Sequence, residues 1–172
     1  MKIIVAPGAF KHSLTALNAA EAIASGLTKS GLDADLVVLP IADGGNGTLD
    51  AFLADGGQWI TVHTVDPLNR SLLAPIGLLS DSQTAVVEMA LASGLELLRP
   101  DELNPLIATT YGTGLLLKAA LDTGANRIIV GMGGSATVDA GAGALQALGV
   151  HLLDASGRPI PFGGGGLQFL AS

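Results

Sequence analysis

The chain contains no cysteine, few aromatic residues and little positive charge. Without cysteine there is no disulfide scaffold, no Cys-ligated zinc and no thiol nucleophile, and the composition fits a reducing compartment. Aromatic residues make up 3% of the 172, too few for the stacking platforms on which single-stranded nucleic acids lie. Eight Lys and Arg stand against 15 Asp and Glu, a net charge of −7. That balance removes the basic footprint of a nucleic-acid binder. Long apolar runs are also missing. Ile3–Ala6 is stopped by Pro7 and is shorter than the roughly 7–15 residues of a signal-peptide core. No stretch of about 18 apolar residues is free of charge and repeated glycine, so a membrane span is not expected. A soluble, cytoplasmic protein with a small-molecule ligand is expected.

What is present is a 49% apolar chain with 24 glycines. Such an apolar content argues against disorder, and the glycines follow no G-x-y period, which excludes collagen. A chain of this length can bury a core and make one domain or slightly more.

The patterning predicts an α/β protein. Ile3–Ala6 reads as a buried strand, Ser13 or Thr15 caps a following helix, and Leu17, Ala20, Ala24 and Leu27 fall on one face of it. Leu36–Leu39 is a second strand and Gly47–Ala54 a short helix. Strand–helix–strand–helix with short links implies a parallel sheet. Trp59–Val65, Leu72–Leu79 and Thr84–Ala90 are three more strands, joined by Asp66-Pro67-Leu68-Asn69 and Ser80-Asp81-Ser82. Links that short predict an antiparallel meander, with a domain or subdomain boundary near residues 66–82. Arg99–Thr110 reads as loop and Thr113–Thr123 as a helix. A second strand–helix–strand unit is expected over Arg127–Val130, Val138–Leu148 and Val150–Leu153. Gly163–Gly166 is expected to be an unanchored connection, because glycine loses the most entropy on ordering, and the chain reads as cut off beyond it.

Three glycine-bearing loops follow three of these strands: Pro7–Ser13, Ala42–Thr48 and Gly131–Asp139. Ligands of open α/β sheets bind beyond the carboxyl ends of strands, where glycine lets the backbone approach an anion and a helix start presents free N–H groups. One such loop is explained equally well as a tight turn; three together favour a phosphate- or metal-bearing site. Asp43 and Asp139 each sit beside glycine at a strand-to-helix transition. A carboxylate there can bind Mg²⁺, accept a hydroxyl proton, or simply cap a helix. Lys11 can meet a phosphate as a point charge. The backbones of Gly44, Gly45, Gly133, Gly134 and Ser135 are candidate anion cradles, and Thr110 and Thr113 lie in a hydroxyl-rich segment that could contact substrate. The three histidines show no metal spacing. Neither G-x-x-x-x-G-K-[ST] nor G-x-S-x-G occurs, which excludes a P-loop phosphotransferase and an α/β-hydrolase elbow. Gly131-Met132-Gly133-Gly134-Ser135-Ala136 does satisfy G-x-G-x-x-G/A, with Asp154 beyond the next predicted strand, so a dinucleotide-dependent oxidoreductase stays open on residues alone.

At these same loops the chain resembles the bacterial glycerate kinase family. Met1–Pro7 with Phe10-Lys11 and Ser13-Leu14 is similar to the family opening M-K-I-V-I-A-P-D-S-F-K-G-S-L. Ala42-Asp43-Gly44-Gly45 with Gly47-Thr48 resembles A-D-G-G-E-G-T. Glu88-Met89-Ala90 with Ala92–Leu95 resembles E-M-A-x-A-S-G-L, and Asn104–Leu106 and Thr110–Gly114 resemble R-N-P-L and T-Y-G-T-G. Gly133–Thr137 with Asp139 is similar to G-G-S-A-T-N-D-G. The resemblance covers the whole chain.

It implies transfer of the γ-phosphoryl group of ATP to a hydroxyl of glycerate with Mg²⁺. It further implies a Rossmann-like domain carrying a second α/β domain with antiparallel strands inserted in it, and an active site in the cleft between the two. On that basis residues 1–70 begin the Rossmann-like domain and 71–172 begin the inserted one. Family members run to more than twice this length, so the chain is expected to be an N-terminal part. Lys11, Asp43 and Asp139 are then the expected catalytic residues, with Asp43 and Asp139 as candidate Mg²⁺ ligands or base, the two roles not assigned between them. The chain departs from the family pattern at Gly8-Ala9 (Asp-Ser), His12 (Gly), Asn46 (Glu), Leu103 (often Arg), Val138 (Asn) and Ala140 (Gly). Loss of one charged hydrogen bond costs roughly 2–4 kcal/mol of transition-state stabilisation. The departures therefore imply a truncated or degenerate member, or a nucleotide-binding remnant without turnover.

Overall fold

The computed structural model describes residues 1–10, 13–54 and 56–171. Strand β1 (Lys2–Val5) leads through helix α1 (Ala16–Lys29) to β2 (Asp35–Val38), and β1 and β2 pair in parallel from Lys2↔Asp35 to Val5↔Val38. The Thr15 hydroxyl accepts the Asn18 N–H at 3.1 Å and so caps α1. The helix lies on the sheet through Ala19 and Ala20, while Leu17 is 49% exposed. Leu17 therefore leaves the expected apolar face: the close-approach stripe is made of alanines, whose small side chains let the helix sit near the strands.

Helix α2 (Thr48–Leu53) comes next, then β3 (Gln58–Val65), β4 (Ser71–Leu78), β5 (Thr84–Glu88), α3 (Ala90–Ser93), α4 (Tyr111–Asp122), β6 (Arg127–Gly131) and α5 (Ala142–Ala147). A second sheet runs in the order β3-β4-β5-β6. Its first three strands form the expected antiparallel meander, and β6 pairs in parallel with β5 from Thr84↔Arg127 to Glu88↔Gly131. Every residue of β5 is buried, as in a strand covered on both faces. One face packs Ala74, Ile76, Ala85 and Val87 against Leu116 and Ala120 of α4. The other packs Val86 against Leu49 and Leu53 of α2. Gly77 makes room for α2: a Cβ there would lie 2.7 Å from Leu49 Cδ1. The chain thus passes from the first sheet to the second between β2 and α2. Position 70/71 falls in the turn of the β3–β4 hairpin, where Asp66 Oδ1 accepts the N–H groups of Leu68 and Arg70.

Three local expectations are corrected. The strand–helix–strand unit is β5–α4–β6, with α3 and a long loop before α4. Val150–Leu153 is not a strand, and only Leu153 bridges Pro159. Asp154 Oδ1 there accepts the N–H groups of Ser156 and Arg158, folding the segment on itself instead of onto the sheet. Helix α4 begins at Tyr111, two residues ahead of the expected start at Thr113. A Cβ on Gly112 would meet Val65 O at 2.0 Å and one on Gly114 would meet Ala144 O at 2.5 Å, so these glycines let α4 approach β3 and α5. Gly163–Gly166 is an anchored turn, since Gly163 lies against Leu106 and Ile107 and Gly166 against Pro161 at distances that admit no side chain.

Candidate functional site

The loops that leave the carboxyl ends of β1, β2, β5 and β6 open onto one cleft of about 1010 Å³. Gly8, Ala9, Asp43, Gly45, Glu88, Gly133 and Gly134 are among the residues lining it. Its walls come from loops next to both sheets. The position agrees with the rule that α/β ligands bind beyond strand carboxyl ends.

The Asp43 loop is built locally first. Asp43 Oδ1 accepts the Gly45 N–H at 3.2 Å, and Thr48 turns its hydroxyl back to Gly45 O at 2.6 Å. Asp43 itself is exposed to the cleft. The Gly131–Gly134 loop then packs on it. Gly133 donates its N–H to Gly44 O at 2.7 Å, and a Cβ on Gly133 would lie 2.6 Å from Gly45 N. Two glycine loops meet backbone to backbone here, and a side chain on either would separate them. Of the two N–H groups expected to cradle an anion, that of Gly133 is spent across this seam on Gly44 O and that of Gly45 on the Asp43 carboxylate of its own loop. Gly134, with φ of 73°, continues into the cleft wall and accepts the Leu95 N–H through its carbonyl. Ser135 does not line the cleft; its Oγ accepts the Thr137 N–H at 3.0 Å.

Sequence reading did not single out Glu88 as a site residue. It ends β5, is 2% exposed and lines the cleft. Its Oε1 accepts the Gly47 N–H at 3.2 Å and its Oε2 the Leu49 N–H at 2.9 Å. Gly47 has no side chain to cap α2 and takes a left-handed φ of 89°, so the cap arrives from a strand 41 residues away. Burial pushes the Glu88 carboxyl above the usual carboxylate range, against the pull of these N–H groups. No ion pair joins it to a cation among the described residues. Burying such a charge costs several kcal/mol, while hydrogen bonds to a charged group return about 1.5–3 kcal/mol each. No local N-cap pattern in the sequence could have revealed this contact; only β5–α2 packing creates it.

Asp139 has a different setting from Asp43. It is 1% exposed. Its Oδ2 accepts the Thr110 N–H (2.9 Å), the Thr110 hydroxyl (2.9 Å) and the Gly143 N–H (3.1 Å), and its Oδ1 accepts the Gly141 N–H (3.1 Å). The Thr110 hydroxyl in turn accepts the Ala144 N–H at 2.9 Å, so this carboxylate joins the starts of α4 and α5. Thr113 is buried, with its hydroxyl 2.7 Å from Ser93 Oγ. Neither Thr110, Thr113 nor Asp139 lines the cleft. Lys11 and His12 lie outside the described residues. No group of three or more His, Cys, Asp or Glu that could hold a metal ion occurs among the described residues. Among them, too, no helix is long and apolar enough to cross a membrane.

The chain matches the model of the glycerate kinase family over residues 3–172. It is 54% identical to glycerate kinase of Bacillus subtilis (strain 168), covering all of this chain and 45% of that protein. It is 47% identical to glycerate 2-kinase of Escherichia coli (strain K12), covering 99% of this chain and 45% of the relative. A crystal structure from Salmonella typhimurium LT2, of a protein taken to be glycerate kinase 2, superposes with a TM-score of 0.79 at 48% identity and covers all of this chain and 47% of that one. The chain thus spans just under half the length of the relatives it matches. Its motif order, its glycine loops and these likenesses over its full length make it a member of the glycerate kinase family.

Proposed function

We propose that the cleft bounded by the Asp43 and Gly133 loops serves the ATP-dependent phosphorylation of glycerate. The observation that carries the reading is the meeting of two glycine loops at the carboxyl ends of parallel strands, with the exposed Asp43 of one of these loops on the cleft, in a member of the glycerate kinase family. We take the two sheets as the beginnings of two domains with this cleft between them.

Asp43 is the proposed metal ligand. It presents a hard oxygen donor toward the cleft, and Mg²⁺ is commonly held by only one or two carboxylates besides phosphate oxygens and water, so the residue present fits the ion. When bound, Mg²⁺ would neutralise charge on the phosphates during transfer. The Gly45 N–H fixes the Asp43 carboxylate. The Gly44–Gly133 seam holds the loop that carries it, and Gly134 continues that seam into the cleft wall. Lys11 is proposed to meet the transferred phosphoryl group. Asp139, Thr110 and Thr113 serve the site by holding α4 and α5 in place. Catalysis of this kind is positioning and charge stabilisation rather than covalent chemistry.

Mixing the purified chain with ATP, Mg²⁺ and D-glycerate and following phosphoglycerate by ³¹P NMR tests the proposal. Mg²⁺-dependent ATP binding that falls at least ten-fold in Asp43→Asn is expected; equal binding in the variant would remove Asp43 from the site. The second reading, nucleotide binding without turnover, is favoured by one observation. At the position where the family pattern has Glu, Asn46 donates to Glu96 at 2.7 Å. Binding without product would support that reading, and product formation would end it.

A further inference from the structure

We propose that Glu88 is the positioning residue of the Asp43 loop, fixing it for nucleotide binding by ligating the backbone where that loop enters α2. The inference rests on the reading of the cleft as a nucleotide site. Three observations carry it. First, Glu88 binds the N–H groups on either side of Thr48, the first residue of α2, and Asp43 lies just upstream on the same short loop. Second, the backbone beside Glu88 is tied to the opposite loop: Met89 donates its N–H to Gly131 O at 3.0 Å, and Gly133 donates to Gly44 O at 2.7 Å. The carboxylate, the Asp43 loop and the Gly133 loop thereby form one closed circuit around the cleft mouth. Third, stability does not account for a carboxylate at this place. Glu88 is almost fully buried without a cation among the described residues. Replacing buried charge with neutral groups of similar volume is often neutral or stabilising. What only a carboxylate supplies here is two acceptors for the two backbone donors that flank Thr48.

Glu88→Gln keeps the volume and one acceptor; Glu88→Ala keeps neither. The test compares the full chain and both variants in three measurements: melting temperature, amide hydrogen exchange over residues 43–49, and calorimetric titration with ATP in the presence of Mg²⁺. The expected order of affinity is Glu, then Gln, then Ala, with at least ten-fold between the first and last. Exchange at Gly47 and Leu49 is expected to accelerate at least ten-fold in both variants, while Glu88→Gln melts at or above the temperature of the unchanged chain. Affinity that falls only in step with melting temperature across the series would overturn the proposal, leaving Glu88 a purely structural group. Unchanged affinity and unchanged exchange in Glu88→Gln would overturn it too. If the unchanged chain binds no ATP with Mg²⁺, the nucleotide reading of the cleft fails by itself. The exchange rates then still decide whether Glu88 holds the loop.

Discussion

Replacing Asp139 separates a structural carboxylate from a chemical one. Four donors reach it within 3.1 Å, the N–H groups of Thr110, Gly141 and Gly143 and the Thr110 hydroxyl, and the Thr109 hydroxyl adds a longer bond at 3.5 Å. The side chain is 1% exposed, so water does not replace it cheaply. In Asp139→Asn the amide oxygen can take the Oδ2 position, with three of the donors. The amide NH₂ then faces the Gly141 N–H, donor against donor, and the remaining bonds lose their charge assistance. An unsatisfied buried donor costs about 1–3 kcal/mol, so the change should cost about 2 kcal/mol. Asp139→Ala strands all four donors and opens a small void. Even with relaxation this should cost about 4 kcal/mol or more. For a chain of this size each kcal/mol moves the melting temperature by about 2–4 °C. Expected drops are therefore about 4–8 °C for Asn and about 8–16 °C for Ala, read by circular dichroism and checked by urea titration. A structural role for Asp139 is refuted if Asp139→Ala unfolds within about 1 °C of the unchanged chain, or if ATP binding is lost in Asp139→Asn with no loss of stability.

Further outcomes are expected elsewhere. Ala140 holds a φ of 53°, where the family pattern has glycine. Ala140→Gly should relieve about 1 kcal/mol of left-handed strain and raise the melting temperature by about 2–4 °C. Gly133→Ala places a Cβ 2.6 Å from Gly45 N. It should cost about 1–3 kcal/mol in a urea titration through overpacking and weaken ATP binding. The pH dependence has two opposite contributions. The Glu102 carboxyl is held low by the Arg99 N–H and then by the Arg70 guanidinium. Its stabilisation is present above the unfolded value of about 4.3 and lost as pH falls through the depressed folded value. Glu102→Gln should therefore flatten the acid limb. Glu88 is raised by burial, so its contribution is complete below about pH 4.3 and lost as pH rises through the folded value. Urea midpoints from pH 4 to 7.5 should show Glu88→Gln gaining on the unchanged chain as pH rises.

How much of this was legible beforehand depends on the range of the forces involved. The meander was readable because Asp66–Asn69 and Ser80–Ser82 are short turns, and turn chemistry is local. The strand Arg127–Val130 was readable from its apolar run, but its partner was misplaced because pairing is decided by distant residues. Two glycine loops were legible as punctuation after strands, but the contacts between them were not. Spacing shows that Gly45 and Gly133 each sit in a tight loop, not that the Gly133 N–H meets Gly44 O while the Gly45 N–H meets the Asp43 carboxylate. Asp43 and Asp139 read alike in the sequence, and their difference is burial, which no spacing records.

By itself the sequence determined the α/β class, the hairpin turns, the exclusion of disulfide and P-loop chemistry, and, through its motifs, the family. These follow from composition, periodicity and short-range backbone preference. Only the tertiary structure decided that Asp139 lies buried at the starts of α4 and α5, that Asp43 faces the cleft, and that Glu88 caps a helix from 41 residues away. Those outcomes depend on desolvation and on which backbone donors a carboxylate meets. Both arise only when separate elements pack.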